Sequence, residues 1–271
     1  MLIYMKKSET IFIFIAVLLL FSLSEVHSES TEKTKSADEL YILCKNSYES
    51  GDLDKAGDYA DMFLSLYTED KHRAEVMLLK AFLQTSPDMA EDTYTSIIKD
   101  YPKSKFAAEA HFHLGQSYYL LDQYDKALDH YGEIIVSYTD SDSYWKARYW
   151  RCKVFVSQGD YKEAIYQLSS LKDSDPDDLN RDIILLSLAN CYFITKDYEK
   201  AVENCRLIID NMPDSHRLPH AYFLLSESLK KLDRSDEAKV IAEKLASDYP
   251  EFKDYQNLQN MEDNVKTTSI T

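Results

Sequence analysis

Three stretches of the chain read almost alike: Gln123-Tyr124-Asp125-Lys126-Ala127, Asp160-Tyr161-Lys162-Glu163-Ala164 and Asp197-Tyr198-Glu199-Lys200-Ala201. Each alanine lies 37 residues after the one before, and the same step carried outward reaches Ala90 and Ala238. An earlier relative, Asp52-Leu53-Asp54-Lys55-Ala56, stands 34 residues before Ala90. Five segment ends keep the same register: Asp100-Tyr101-Pro102, Ser137-Tyr138-Thr139, Ser174-Asp175-Pro176, Asn211-Met212-Pro213 and Asp248-Tyr249-Pro250. A fixed period of this size marks an array of repeats, each one supersecondary unit that buries its apolar face against its neighbours.

Each unit reads as two helices. In the fourth, Trp150, Val154 and Phe155, then Ala164, Ile165, Leu168 and Leu171, follow helical spacing. Gln158-Gly159-Asp160 separates the two runs. Asp160 is expected to cap the second helix, with Glu163 completing a capping box, and Pro176 to end the pair. In the second unit Ser86-Pro87 is expected to open a helix as cap and first-turn proline. The recurring alanine suits a close helix crossing, where a larger side chain would overpack.

Composition agrees. The chain has 271 residues, 45 % of them apolar and 29 % charged, as a folded protein requires. Five glycines and six prolines are too few for a Gly-rich phosphate loop, a dinucleotide fingerprint or a turn-dense β-sandwich. The 21 Tyr, 11 Phe and 2 Trp point instead to many packed helices. Asp and Glu outnumber Lys and Arg by 47 to 31, a net charge of −16, which argues against a nucleic-acid partner. The excess acid is expected on the outer face of the array.

The N-terminus carries an address. Lys6 and Lys7 precede an apolar run from Ile11 to Leu23, too short to span a bilayer of roughly 30 Å comfortably. Val26 and Ser28 fit the small-residue rule for cleavage, so residues 1–28 read as a signal peptide cut after Ser28, with an uncleaved anchor as the alternative. There is no lipobox cysteine near the cut. The expected location is outside the cytoplasm, in the periplasm or cell envelope, with membrane association only through partners.

The repeat resembles the tetratricopeptide repeat, most closely in the third unit at Leu114-Gly115, Tyr118, Ala127 and Tyr131. The resemblance implies an all-α superhelical solenoid of about six helix-turn-helix repeats, over roughly 37–70, 71–106, 107–143, 144–180, 181–217 and 218–250. A linker at 29–36, a capping helix at 251–262 and a flexible tail at 263–271 complete the expected organisation. The 37-residue step and the Asp-Tyr-Pro endings are similar to the bacterial envelope subfamily of BamD-like and YbgF-like (Tol–Pal) proteins.

In that family, positions two, five, nine, twelve and thirteen of each first helix line a concave groove. Carried onto this chain, the resemblance implies a protein-binding groove of Tyr41, Tyr48, Phe82, Phe112, Tyr119, Tyr149, Leu186, Asn190, Phe193 and Phe223. The family's clamp for a chaperone's C-terminal carboxylate is not expected, because Leu186 stands where Lys would be needed one turn before Asn190. The implied partner is a peptide segment or helix of a cell-envelope protein, in outer-membrane protein assembly or Tol–Pal-like envelope maintenance. The alternative is a periplasmic subunit that binds or delivers a ligand for a membrane transporter.

No catalytic constellation, cofactor or metal site is expected. His111 and His113 are two apart on a helix and point to different faces; Pro219 separates His216 from His220. The acidic run at 173–178 lacks the glycine and the distal glutamate of a calcium loop. Cys44 and Cys152 read as small core groups. Cys191 and Cys205, on the paired helices of one unit, are a possible disulfide.

Overall fold

The computed structural model describes residues 35–174 and 181–252. Among them are twelve α-helices and no strand: α1 (Ala37–Glu49), α2 (Leu53–Leu66), α3 (Arg73–Leu83), α4 (Pro87–Asp100), α5 (Lys105–Leu120), α6 (Tyr124–Ser137), α7 (Ser143–Ser157), α8 (Tyr161–Ser174), α9 (Arg181–Ile194), α10 (Tyr198–Asn211), α11 (Leu218–Lys231) and α12 (Ser235–Asp248). The expected signal peptide through Ser28, the expected linker before Lys35, Pro176 with most of the acidic run, and the expected capping segment and tail beyond Phe252 lie outside the described residues. No described helix is long and apolar enough to cross a membrane.

The chain forms two compact units, Met1–Ala110 and His111–Thr271. In the first, α1 packs on α2, α2 on α3 and α3 on α4, and the alternate helices α1 and α3 also touch. In the second, each helix from α6 to α12 packs on the next, and α9 touches α11. This is the consecutive helix-pair packing of a tetratricopeptide solenoid.

Local chemistry sets the hinge within five of the six pairs. The first helix ends in a residue of positive φ: Gly51 (81°), Asp122 (56°), Gly159 (77°), Lys196 (66°) and Asp233 (59°), the last four spaced 37 apart. In the fourth pair the Gly159 N–H donates to the Val156 carbonyl at 3.0 Å and the Asp160 N–H to the Phe155 carbonyl at 2.9 Å. Lys196 and Asp197 repeat this on Phe193 and Tyr192 at 3.1 and 2.9 Å. These two bonds define the Schellman turn, which satisfies orphan carbonyls at the helix end and fixes the reversal.

In three pairs the next helix then starts from an aspartate side-chain cap. Asp160 accepts from the Glu163 N–H at 3.1 Å, and Asp52 and Asp197 accept from Lys55 and Lys200 N–H at 3.4 Å. Two expectations are corrected here. Glu163 does not close a capping box: its carboxylate accepts from Gln167 at 2.7 Å, while the Asp160 N–H is already used in the Schellman turn. Helix α4 does open on Pro87, but the Ser86 side chain makes no capping bond.

The alanines of the repeat are fully buried at Ala56, Ala127, Ala164 and Ala201, and 1 % exposed at Ala238. At Gly115 the approach of the paired helix is closest. A Cβ there would lie 2.5 Å from Tyr131 Cε1 on α6, so only glycine fits.

Candidate functional site

A concavity of the second unit lies across the first helices of three successive pairs. Tyr119 of α5 forms one side; Tyr149, Cys152, Lys153, Val156 and Ser157 of α7 run along the middle; Ser187, Asn190, Cys191 and Ile194 of α9 form the other side, with Leu168 of α8 at the base. Its volume is about 330 Å³, within the range of small-ligand and side-chain pockets. A neighbouring cavity of about 220 Å³ lies further toward the start of α7 and α9, lined by Trp145, Lys146, Tyr149, Trp150, Leu171, Ile183 and Ile184. Tyr149 borders both and divides them.

The helical register explains this convergence. Lys146, Tyr149, Trp150, Lys153 and Val156 fall at intervals of three and four, one face of α7. The Tyr149 hydroxyl bonds the Ser187 hydroxyl on α9 at 3.3 Å, and Tyr119 bonds Ser157 at 2.9 Å, so tyrosines tie successive first helices together. Burial pushes the Tyr149 phenol above its ordinary pKa, keeping it neutral.

Lys153 is the only charged side chain in the larger pocket. Its ammonium lies 3.8 Å from the centroid of Trp150 and 5.2 Å from that of Tyr119. Partial withdrawal from water lowers its pKa. The rings supply attraction through their π faces, but no carboxylate lines the pocket.

Several expected groove residues sit elsewhere. Phe112 is 8 % exposed, edge-on to Trp150 at 6.2 Å and packed on Tyr131, so it belongs to the core of its pair. Leu186 is likewise buried, in the cluster around Leu225 and Tyr222. Phe193 packs against that same cluster, edge-on to Tyr198 at 5.5 Å. Phe223 is exposed, 6.3 Å from the Phe252 ring. In the first unit Tyr48 meets Phe82 at 6.3 Å, and Tyr41 stacks flat on His72 at 3.9 Å. Tyr119, Tyr149 and Asn190 are the ones brought to a single pocket; Asn190 donates from its amide to the Leu186 carbonyl at 3.0 Å.

Lys146 and Lys153 were missed, although the positional rule that selects Tyr149 reaches them at its second and ninth places. Restricting the groove to uncharged types hid both.

The cysteines also rearrange. All four are buried free thiols. Cys191 packs with Cys152 under the pocket, whereas Cys205 lies in the next cluster with Ala189, Val202 and Ala221. The possible Cys191–Cys205 pairing is therefore corrected: the two thiols look into different layers. Burial pushes Cys152 to about 12 and Cys191 to about 11, so neither is a thiolate nucleophile at neutral pH. Among the described residues no group of three or more His, Cys, Asp or Glu side chains could hold a metal ion. His111 and His113 do diverge, but His111 meets a histidine that sequence spacing did not single out. Its Nδ1 lies 2.9 Å from Nδ1 of His130 on the paired helix.

Residues 108–138 and 220–251 each match a family described as tetratricopeptide repeat. Those segments are the third and the sixth helix pair. The chain is similar to solved structures of that architecture. One is a tetratricopeptide repeat protein from Parabacteroides merdae, at 15 % identity and TM-score 0.60, covering 78 % of this chain and 79 % of that one. Another is Pseudomonas aeruginosa pilF, at 15 % identity and TM-score 0.61, covering 83 % and 97 %. A third is the apo form of RapI, at 13 % identity and TM-score 0.63, covering 82 % and 68 %. At these identities the likeness concerns the fold. No curated protein matches the chain in sequence. Tetratricopeptide repeats typically serve as non-catalytic scaffolds for protein–protein interaction.

Proposed function

We infer that the protein is an exported, non-catalytic scaffold whose tetratricopeptide groove holds a segment of a cell-envelope protein. The observation that carries this reading is the pocket of about 330 Å³ assembled from α5, α7 and α9, three successive first helices. It offers tyrosine and aliphatic walls, hydroxyl and amide groups for a peptide backbone, and thiols held protonated. Such a lining can bind and orient a chain, and it contains no activated nucleophile or general base.

Export rests on the basic start at Lys6 and Lys7, the apolar run from Ile11 to Leu23 and the cleavage pattern ending at Ser28. The 37-residue step with its Asp-Tyr-Pro endings supports a role alongside envelope proteins, in outer-membrane protein assembly or Tol–Pal-like maintenance.

The test is photo-crosslinking in cells from positions 149 and 190, with captured proteins identified by mass spectrometry. One envelope protein trapped at Tyr149 and not from an outer-face position such as Tyr166 is the expected result. Capture only of the chain itself, or only of cytoplasmic proteins, refutes the reading.

A further inference from the structure

Among the described residues, the two cavities beside Tyr149 are each lined by one lysine and no carboxylate: Lys153 in the larger, Lys146 in the smaller. This is unusual for a chain with 47 acidic and 31 basic residues. Elsewhere, many lysines of the array pair with carboxylates, as Lys55 does with Asp52, Lys200 with Asp197 and Lys230 with Glu227, each at 2.6 Å. Lys146 and Lys153 have no such partner among the described residues.

Their spacing is fixed by α7. Seven residues are two helical turns, about 10.5 Å along the axis. Tyr149 and Trp150 stand between them on the same face, flanked by Ile183 and Ile184 on one side and Val156 and Ile194 on the other. The face therefore reads cation, aromatic and aliphatic wall, cation.

We propose that the occupant of this groove is an acidic segment of a partner protein, bound extended along α7 and α9, with two carboxylate side chains three residues apart around large apolar residues. In the extended polyproline II form three residues complete one turn and advance about 9 Å, so both carboxylates face α7 at close to the separation of the two lysines. One carboxylate meets Lys153 beside the Ser157 hydroxyl and the Asn190 amide. The apolar residue between packs across Tyr149, and the second carboxylate meets Lys146 at the exposed end. Charge complementarity chooses this occupant. The half-buried Lys153 faces aromatic rings and no described carboxylate, and a basic segment would set like charges against both lysines. This rests on the peptide-groove reading above and specifies the chemistry of its ligand.

The experiment uses the full chain and arrays of octapeptides with both ends blocked. One series carries Glu-x-x-Glu, a second Gln-x-x-Gln and a third Glu-x-Glu, with x drawn from Leu, Ile, Phe and Tyr. The Glu-x-x-Glu series is expected to bind about tenfold more tightly than the Gln series, a preference that shrinks with added salt. Lys153→Gln should remove most of that preference, Lys146→Gln a smaller part, and Lys153→Arg should retain it; circular dichroism checks that each variant is folded. Equal binding of the Glu and Gln series, abolished by Tyr149→Ala, overturns the acidic ligand and leaves the groove standing. Equal binding of the two glutamate spacings overturns the two-lysine register. Failure of every series to bind overturns both this proposal and the peptide groove.

Discussion

Gly115→Ala is the most informative single substitution in the fold. Gly115 lies inside α5, where alanine is ordinarily about 0.5–1 kcal/mol better than glycine. Here the added Cβ would fall 2.5 Å from Tyr131 Cε1, 2.9 Å from Cζ and 3.0 Å from Cδ1. The ring cannot swing away, because Tyr131 is fully buried and packed by Phe112 and Trp150. Overpacking of this kind costs about 1–3 kcal/mol, so after the propensity gain the net loss is roughly 0.5–2 kcal/mol. Gly132→Ala, on the paired helix with nothing within 4 Å of the added Cβ, is the control and should stabilise by about 0.5–1 kcal/mol. Urea unfolding followed by circular dichroism gives both midpoints under one condition. Tyr131→Leu should cost less in the Gly115→Ala background than alone, since the clash goes with the ring. A Gly115→Ala protein as stable as the parent, or additivity in that cycle, refutes the argument that ring contact selects glycine.

The Tyr131 hydroxyl is buried without a hydrogen-bond partner, so Tyr131→Phe should leave the midpoint unchanged or raise stability by about 1 kcal/mol; a loss would reveal a bond the hydroxyl makes. Lys196 sits at φ 66° in its Schellman turn, where Gly159 serves in the preceding pair. Lys196→Gly should therefore stabilise by about 0.5–1 kcal/mol, measured by the same unfolding midpoint. Burial, then the neighbouring His130, holds His111 down at about 4, against a smaller opposing pull from Glu133. Because the folded value lies below the unfolded one near 6.5, the unfolded chain takes up the proton first. Stability is then unaffected above about pH 6.5 and falls as pH drops toward 4, by at most about 3 kcal/mol; the slope should flatten in His111→Gln. A pH-independent midpoint over that window refutes the depressed value.

Fold class was legible because repetition multiplies weak signals. One Asp-Tyr-Lys-Glu-Ala stretch says little, but five alanines in a single register fix where helices pair, and four of them, Ala127, Ala164, Ala201 and Ala238, are buried in the structure. The aspartate cap before α8 was also readable, since an aspartate side chain satisfies N–H groups a few residues away, and Asp52 and Asp197 do the same before α2 and α10. Capping detail was less so. Glu163 matches the box pattern, but its carboxylate and the Asp160 N–H each have another partner.

The register also determined which positions of each first helix could face the groove, and a repeat of 37 placed Phe112, Tyr149, Leu186 and Phe223 at one equivalent site. What lies on top of each is decided by the neighbouring helix, which local periodicity does not contain. Trp150 lies edge-on to Phe112, the Leu225 cluster encloses Leu186, and Phe223 remains exposed beside Phe252. Tyr149 alone among the four borders two cavities. The same holds for Cys191, which stands nearer in sequence to Cys205 yet packs with Cys152 of the preceding pair. Chain spacing dictates the helix face a side chain occupies; its depth and neighbours follow from the packing of successive pairs.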